Sequence, residues 1–231
     1  TELLRNLAHE VRNPLGGLRG AAQLLEQELD ENSLKEYTQI IINEADRLQN
    51  LMNRMLTPHQ MPVYKKTNIH EILERVRSLI LSEFSTDITF IRDYDVSLPE
   101  FIMDREKLIQ AILNIARNGA QAMKLNNQDD MKLSFITRAE RQIVFRKKKH
   151  ATAIRIDIVD NGPGIKNELI DKIFFPLVTG NENGSGLGLS LAQNLISLHQ
   201  GMIDCHSVPG KTVFSIILPI ENNLIPTKEK K

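Results

Sequence analysis

The chain has 231 residues, 41% hydrophobic and 25% charged, which suits one large globular domain or two small ones with a buried core. Its 29 basic and 29 acidic residues cancel, so it lacks the basic excess that neutralises a phosphate backbone, and direct nucleic-acid binding is disfavoured. No apolar run approaches the length that spans a bilayer and nothing at the N-terminus reads as a signal peptide, so this piece reads as cytoplasmic and off the membrane.

From Leu4 to Leu29 the residues Leu4, Leu7, Val11, Leu15, Leu18, Ala22, Leu25 and Leu29 alternate spacings of three and four, the stripe of a long helix. After a break at Asp30 to Ser33, where Ser33 can cap, Leu34, Tyr37, Ile41, Ala45, Leu48, Met52 and Met55 repeat the pattern. Two helices with a short connection form an antiparallel hairpin that leaves much of both stripes in water. The expectation is a homodimer closing a four-helix bundle. His9 lies two residues from both Leu7 and Val11, or about 200° around the helix, and so points away from the stripe. The chain starts only eight residues before His9, which suggests that a sensing region precedes it.

Residues 57–66 contain Pro58 and Pro62 without periodicity and read as a linker between a hairpin over 1–56 and a second domain over 67–221, with a tail over 222–231. In that second domain the pattern predicts a helix over Asn68 to Leu81, a strand over Ile88 to Tyr94 and a helix from Asp104, its cap, to Met123. Strands are predicted over Met131 to Thr137 and Ile154 to Val159, with a further short one near Ile143 to Phe145. A helix over Gly186 to His199 and a hairpin of Met202 to His206 with Thr212 to Leu218 complete it. Cys205, the only cysteine, falls on that hairpin as a small hydrophobe. The fold class is α+β, helices on one face of a sheet.

Two glycine clusters carry the chemistry. In Asp160-Asn-Gly-Pro-Gly164 a strand enters a turn where Gly162 and Gly164 let the backbone approach a flat ligand, and Asp160 can accept a hydrogen bond from an exocyclic amine such as adenine N6. Taken alone, the motif is equally a strand-ending turn. Gly184-Ser-Gly186-Leu187-Gly188 leads into a helix, so backbone N–H groups and the helix N-terminus can face phosphates without a Cβ in the way. On the helix from Asp104, Asn114 and Asn118 share a face four residues apart, and their amide oxygens can serve a magnesium ion that also binds phosphate. Arg117 beside them is either a phosphate contact or an ordinary exposed arginine. His59, His70, His150, His199 and His206 fit no ligand spacing.

Together these segments resemble the transmitter portion of the two-component sensor histidine kinases over almost the whole chain. The histidine box is His9-Glu-Val-Arg-Asn-Pro14 and the asparagine box is Asn114-Ile-Ala-Arg-Asn118. The first glycine box is Asp160 to Gly164, the phenylalanine box Ile173-Phe174-Phe-Pro176, and the second glycine box Gly184 to Gly188. More narrowly, the run from His9 to Leu25, the long stretch between Arg138 and Ile154 and the short gap from Phe175 to Gly184 resemble the nitrogen-regulation sensor kinases. Gly119 stands where the family usually has alanine and Gly180 where many members have lysine, which puts a phosphate contact from that segment in doubt.

The resemblance implies an ATP-binding sandwich of the GHKL (Bergerat) type, with ATP and Mg2+ held by Asn114, Arg117, Asn118, Asp160, Gly162, Gly164, Phe174, Gly184, Gly186, Leu187 and Gly188. It implies that His9 attacks the γ-phosphorus while Glu10 serves as general base, a role worth roughly 10²–10⁴-fold. Asn13 orients a water that dephosphorylates the partner. The implied partners are a second copy of the chain, the receiver domain of a response regulator and a PII signal protein. Two other readings stay open: an ATP-hydrolysing machine on the related fold, disfavoured because Asn114 stands where such machines carry a glutamate base, and a nucleotide-binding dimeric scaffold without kinase activity.

Overall fold

A computed structural model describes residues 2–29, 32–55, 62–84, 88–145, 148–180 and 186–220, with side chains described for all of these except 2–12, 32–33, 46–55, 145 and 148. The chain forms two units, Thr1–Gln60 and Met61–Lys231. The predicted tail over 222–231 lies outside the described residues.

The first unit is a helical hairpin of α1 (Glu2–Glu28) and α2 (Asn32–Met55), and α1 runs through Pro14 as a single helix. The broad apolar stripe divides its work. Leu15 and Ala22 on α1 and Thr38, Ile42 and Ala45 on α2 are buried, whereas Leu18, Leu25, Leu34, Tyr37 and Ile41 are exposed. Positions 15 and 22, one heptad apart, form an inner row; 18 and 25, also a heptad apart, form a second row that one hairpin cannot cover.

The second unit layers helices on a mixed sheet. Strands β2 (Ile88–Asp93), β4 (Met131–Phe145), β5 (Lys148–Asp160), β6 (Met202–Val208) and β7 (Lys211–Pro219) lie in the order β2-β4-β5-β7-β6. β2 and β4 are parallel and the other pairs antiparallel. Helices α3 (Ile69–Phe84), α4 (Arg105–Leu125) and α6 (Gly188–Leu198) bury Ile72, Leu73, Ile112, Ile115 and Ile196 in one core with Leu133, Phe135, Ile156, Phe214 and Ile216 of the sheet. Asn68 and Asp104 cap two of these helices through their side chains, Asn68 accepting from His70 N–H at 2.9 Å and Asp104 from Lys107 N–H at 3.0 Å. Cys205 is half-buried, and burial pushes its thiol up to about 12. Among the described residues no helix is long and apolar enough to cross a membrane.

The structure corrects three expectations. Residues 62–66 are not linker: β1 (Lys65–Thr67) pairs with β3 (Phe101–Met103) as a small antiparallel sheet within the second unit. Strands of three residues are too short to display alternation, so they leave no periodic signal. Secondly, 131–145 is one strand, not two. β2 ends at the Asp93–Ile136 pair and β7 at the Pro219–Ala153 pair, so beyond them β4 and β5 run on as a two-stranded ribbon. With no sheet neighbour to bury a face there, Arg138-Ala-Glu-Arg141 needs no apolar alternation while its backbone stays paired. Thirdly, a single turn, α5 (Asn167–Ile170), follows the first glycine cluster where no helix was expected.

Candidate functional site

Strand β5 turns Ile154, Ile156 and Ile158 inward, and the same period places Asp160 on that row at the strand's end. Asp160 is 6% exposed. Burial raises its pKa above the ordinary carboxylate value, opposed by hydrogen bonds from Gly162 N–H and the Thr212 hydroxyl, and no cation among the described residues enters that balance. Gly162 N–H donates to Oδ1 at 2.9 Å. Thr212 is the register partner of Asp160 on β7. Its hydroxyl is 2.9 Å from Ser207 Oγ, which accepts Ile165 N–H at 2.9 Å, so a chain of hydroxyls ties the carboxylate to the turn beyond it.

Space for this carboxylate comes from missing side chains. A Cβ on Gly119 of α4 would lie 2.8 Å from Asp160 Oδ2, and one on Gly162 would lie 2.8 Å from Oδ1 and 3.2 Å from Met123 Cγ. Gly164 has φ +84°, and a Cβ there would meet Val208 and Pro209 backbone at 3.0 Å. Asn161 is structural: its Oδ1 accepts Lys132 N–H and its Nδ2 donates to the Asp130 carbonyl, both at 2.8 Å.

Gly119, the departure from the family's alanine, thus has a physical role. Gly119→Ala should favour the helix by about 1 kcal/mol yet push the Asp160 side chain aside. We expect nucleotide affinity to fall by less than about tenfold, read by titration calorimetry. Unchanged binding would mean that Asp160 does not need its present position.

On α4 the buried row of Ile112, Ile115, Gly119 and Met123 leaves Asn114 half-buried and Asn118 exposed on another face. The start of α6 abuts the first of these, since a Cβ on Gly188 would lie 4.0 Å from Asn114 Cβ. No side chain caps α6. Its N-terminal turn is therefore lined by backbone, the arrangement that favours anions. Gly186, at φ +64°, accepts from Leu177 N–H at 3.0 Å. The Leu187 side chain is buried, and its carbonyl accepts the Ser190 hydroxyl at 3.0 Å, so only its backbone can serve a ligand.

Two predicted ligand residues are engaged elsewhere. Arg117 Nε and Nη2 hold Glu83 of α3 at 2.8 and 2.7 Å, which turns the guanidinium toward α3. Phe174 is half-buried and meets Phe214 edge to face at 6.4 Å, so its ring belongs to the core. Gly184 lies outside the described residues, as do the side chains of His9 and Glu10, whose backbone belongs to α1. Asn13, also on α1, is exposed.

Sequence reasoning missed Thr212 and Met123 as neighbours of Asp160. The first was detectable, because alternation with Phe214, Ile216 and Leu218 puts Thr212 on the core face. A separate cleft of about 380 Å³ opens by Lys65, Lys66, Glu100 and Arg105, where Lys66 pairs with Glu100 at 4.0 Å and Arg105 with Glu106 at 3.0 Å. The glycine-lined region has the chemistry that this cleft lacks.

Residues 103–222 match the family described as histidine kinase-, DNA gyrase B- and HSP90-like ATPase, and residues 1–61 the His Kinase A (phospho-acceptor) domain. The chain is 51% identical over 218 residues to the sensory histidine kinase/phosphatase NtrB of Vibrio alginolyticus, covering 94% of this chain and 62% of that protein. It is 47% identical over 219 residues to NtrB of Salmonella typhimurium, covering 95% and 62%. The chain therefore spans about 62% of the length of these relatives. Among solved structures, full-length ShkA in complex with AMPPNP superposes with TM-score 0.65 at 23% identity, covering 94% of this chain and 45% of that one, a likeness of fold. The histidine kinase ThkA in complex with the response regulator TrrA gives TM-score 0.62 at 25% identity, covering 96% and 62%.

Proposed function

The chain belongs to the sensor histidine kinases, carrying their phospho-acceptor and ATPase-type segments in that order, and from that premise we propose that it phosphorylates its own His9 from ATP and passes the phosphoryl group to an aspartate of a response regulator. The observation that carries the reading is Asp160, a buried carboxylate seated under two glycines beside α4, with the backbone-lined start of α6 against Asn114 of that same helix. A buried carboxylate with no cation among the described residues suits an outside donor such as the adenine N6 amine. The uncapped α6 N-terminus suits the phosphates.

In the proposed step an imidazole nitrogen of His9 bonds to the γ-phosphorus, the bond from phosphorus to the β–γ bridging oxygen breaks, and ADP leaves with that electron pair. Glu10 accepts the imidazole proton. Asn114 and Asn118 suit magnesium, because their amide oxygens are hard ligands four residues apart on one helix. Such a site needs the phosphates to complete it, as magnesium sites commonly do. Bound there, the ion would neutralise charge on the transferring phosphoryl group. Asparagine at 114 supplies no base for water, which favours transfer to His9 over hydrolysis.

The partners follow from the same reading: a second copy of the chain, a receiver domain, and a PII signal protein that shifts the balance toward Asn13-assisted dephosphorylation in nitrogen regulation. The exposed Leu18, Leu25 and Ile41 support the second copy. Replacing all three by glutamine should leave the hairpin's inner row intact while raising the dimer dissociation constant more than about 100-fold, read by analytical ultracentrifugation. A variant that stays dimeric would place the interface elsewhere.

Incubation with γ-phosphate-labelled ATP and magnesium should give an acid-labile, alkali-stable label that maps to His9 by mass spectrometry. An acid-stable label, or nucleotide binding and turnover with no phosphoprotein, would overturn the kinase reading.

A further inference from the structure

The chain enters the second unit through a set of contacts at the ends of α4 and α6, apart from the glycine-lined turn. Val63 N–H donates to Asp104 Oδ2 at 2.8 Å, while Oδ1 of the same carboxylate caps α4 at Lys107 N–H. The Tyr64 hydroxyl donates to the Leu198 carbonyl at 3.0 Å, and its ring meets the His199 ring edge-on at 5.8 Å. His199 and Asp104 are 2% and 5% exposed. His199 Nδ1 lies 2.8 Å from the Leu195 carbonyl, which can only accept, so Nδ1 carries the proton. Nε2 is then the acceptor for Asp104 N–H, at 2.9 Å. Residues 65–67 follow, paired to β3.

This arrangement ties the entering segment to the N-terminal end of α4 and the C-terminal end of α6. Their other parts carry Asn114, Asn118 and the glycine-lined turn. It also fixes the number of residues between the fastened segment and the end of α2. With the segment fastened, only residues 56–61 separate Met55 of α2 from Pro62, and a fully extended chain over that stretch reaches at most about 25 Å. If 62–67 peels away, the same limit becomes about 45 Å.

We propose that Tyr64, Asp104 and His199 form a latch that sets the length of the tether to the first unit. Opening it extends the reach of the nucleotide-holding unit without altering the nucleotide site. The inference rests on the kinase reading, since a tether matters only where one unit must act on the other. The latch residues are positioning residues: they act through the tether and touch no reacting atom.

The test uses the full chain carrying Val63→Pro, which removes the N–H held by Asp104, together with Tyr64→Phe. Amide exchange over 62–67 should accelerate at least tenfold while α4 and the core strands keep their protection. Deleting three residues from 56–61 should slow His9 labelling at saturating ATP at least tenfold in the latched protein. The same deletion in the double variant should recover to within about threefold, because the peeled segment supplies the missing length. Val63→Ala, which keeps the N–H, should leave both readouts unchanged. Unaltered exchange over 62–67, or a deletion defect equal in the two backgrounds, would overturn the latch. Absence of any His9 label in the parent chain would sink the kinase reading and leave the exchange result to decide the latch.

Discussion

Asp160→Asn should weaken ATP binding on the order of 100-fold, at the upper end of the ~1.5–3 kcal/mol carried by a hydrogen bond to a charged group. The geometry makes this a clean substitution. The amide oxygen can keep the Gly162 N–H bond, and Thr212 can turn from donor to acceptor because Ser207 Oγ lies 2.9 Å away to take its proton. What is lost is the acceptor turned toward the ligand, now an amide nitrogen facing an amine. The contrast between ATP and GTP should shrink in parallel, and calorimetric titration with both nucleotides measures it. Affinity for ATP within twofold of the parent would show that Asp160 does not read the base.

The same substitution should stabilise the nucleotide-free protein. Burial holds the Asp160 pKa above its ordinary value of 3.8, so the folded state favours the protonated form. Its contribution to stability is fully present below that ordinary value and is lost as pH rises through the raised folded value. Asparagine does not titrate. The stability advantage of the variant should therefore grow through the acidic range and level off once the carboxyl is ionised, as denaturant midpoints across pH would record. That pair of outcomes, a more stable fold and weaker binding, would mark Asp160 as a residue retained for its ligand.

Much of this site can be read from residue patterns, and what escapes them is non-local. The helices announce themselves through three-and-four spacing, and Asp104 as a cap through its place before Leu108. Asp160 is legible because a strand runs into Asn-Gly-Pro-Gly. Its seat is not, since Gly119 lies 41 residues earlier and only packing shows that the missing methyl leaves room for a carboxylate. Arg117 illustrates the limit of helical spacing, which groups it with Asn114 and Asn118 but says nothing of the helix across the way, where Glu83 waits. The annex of β1 and β3 pairs strands of three residues across 34 to 38 positions, and the Tyr64 hydroxyl reaches a carbonyl 134 residues away; no periodicity encodes either.

Gly186→Ala should abolish nucleotide binding within measurable range, a loss of more than about 100-fold, while the core stays folded. Two effects add. The backbone sits at φ +64°, a conformation that costs an L-residue about 1–2 kcal/mol. The new Cβ would lie 2.5 Å from the Leu177 carbonyl carbon, 2.7 Å from its Cα and 2.8 Å from Val178 N, all backbone atoms that no rotamer change can move. Relief requires the two segments to separate, which breaks the Leu177 N–H bond to the Gly186 carbonyl. Leu177 is itself at φ +67° and exposed, so strain is already present on that side of the contact. Because α6 starts two residues later, its N-terminal turn would lose its place against Asn114. Gly188→Ala is the discriminating companion. Its Cβ would meet nothing closer than Asn114 Cβ at 4.0 Å, and alanine favours the helix by about 1 kcal/mol, so the apo-protein should gain stability. Any loss of ATP affinity in that variant then reports a phosphate that needs the bare backbone. Equal affinity in both glycine variants and the parent would remove the second glycine cluster from the site.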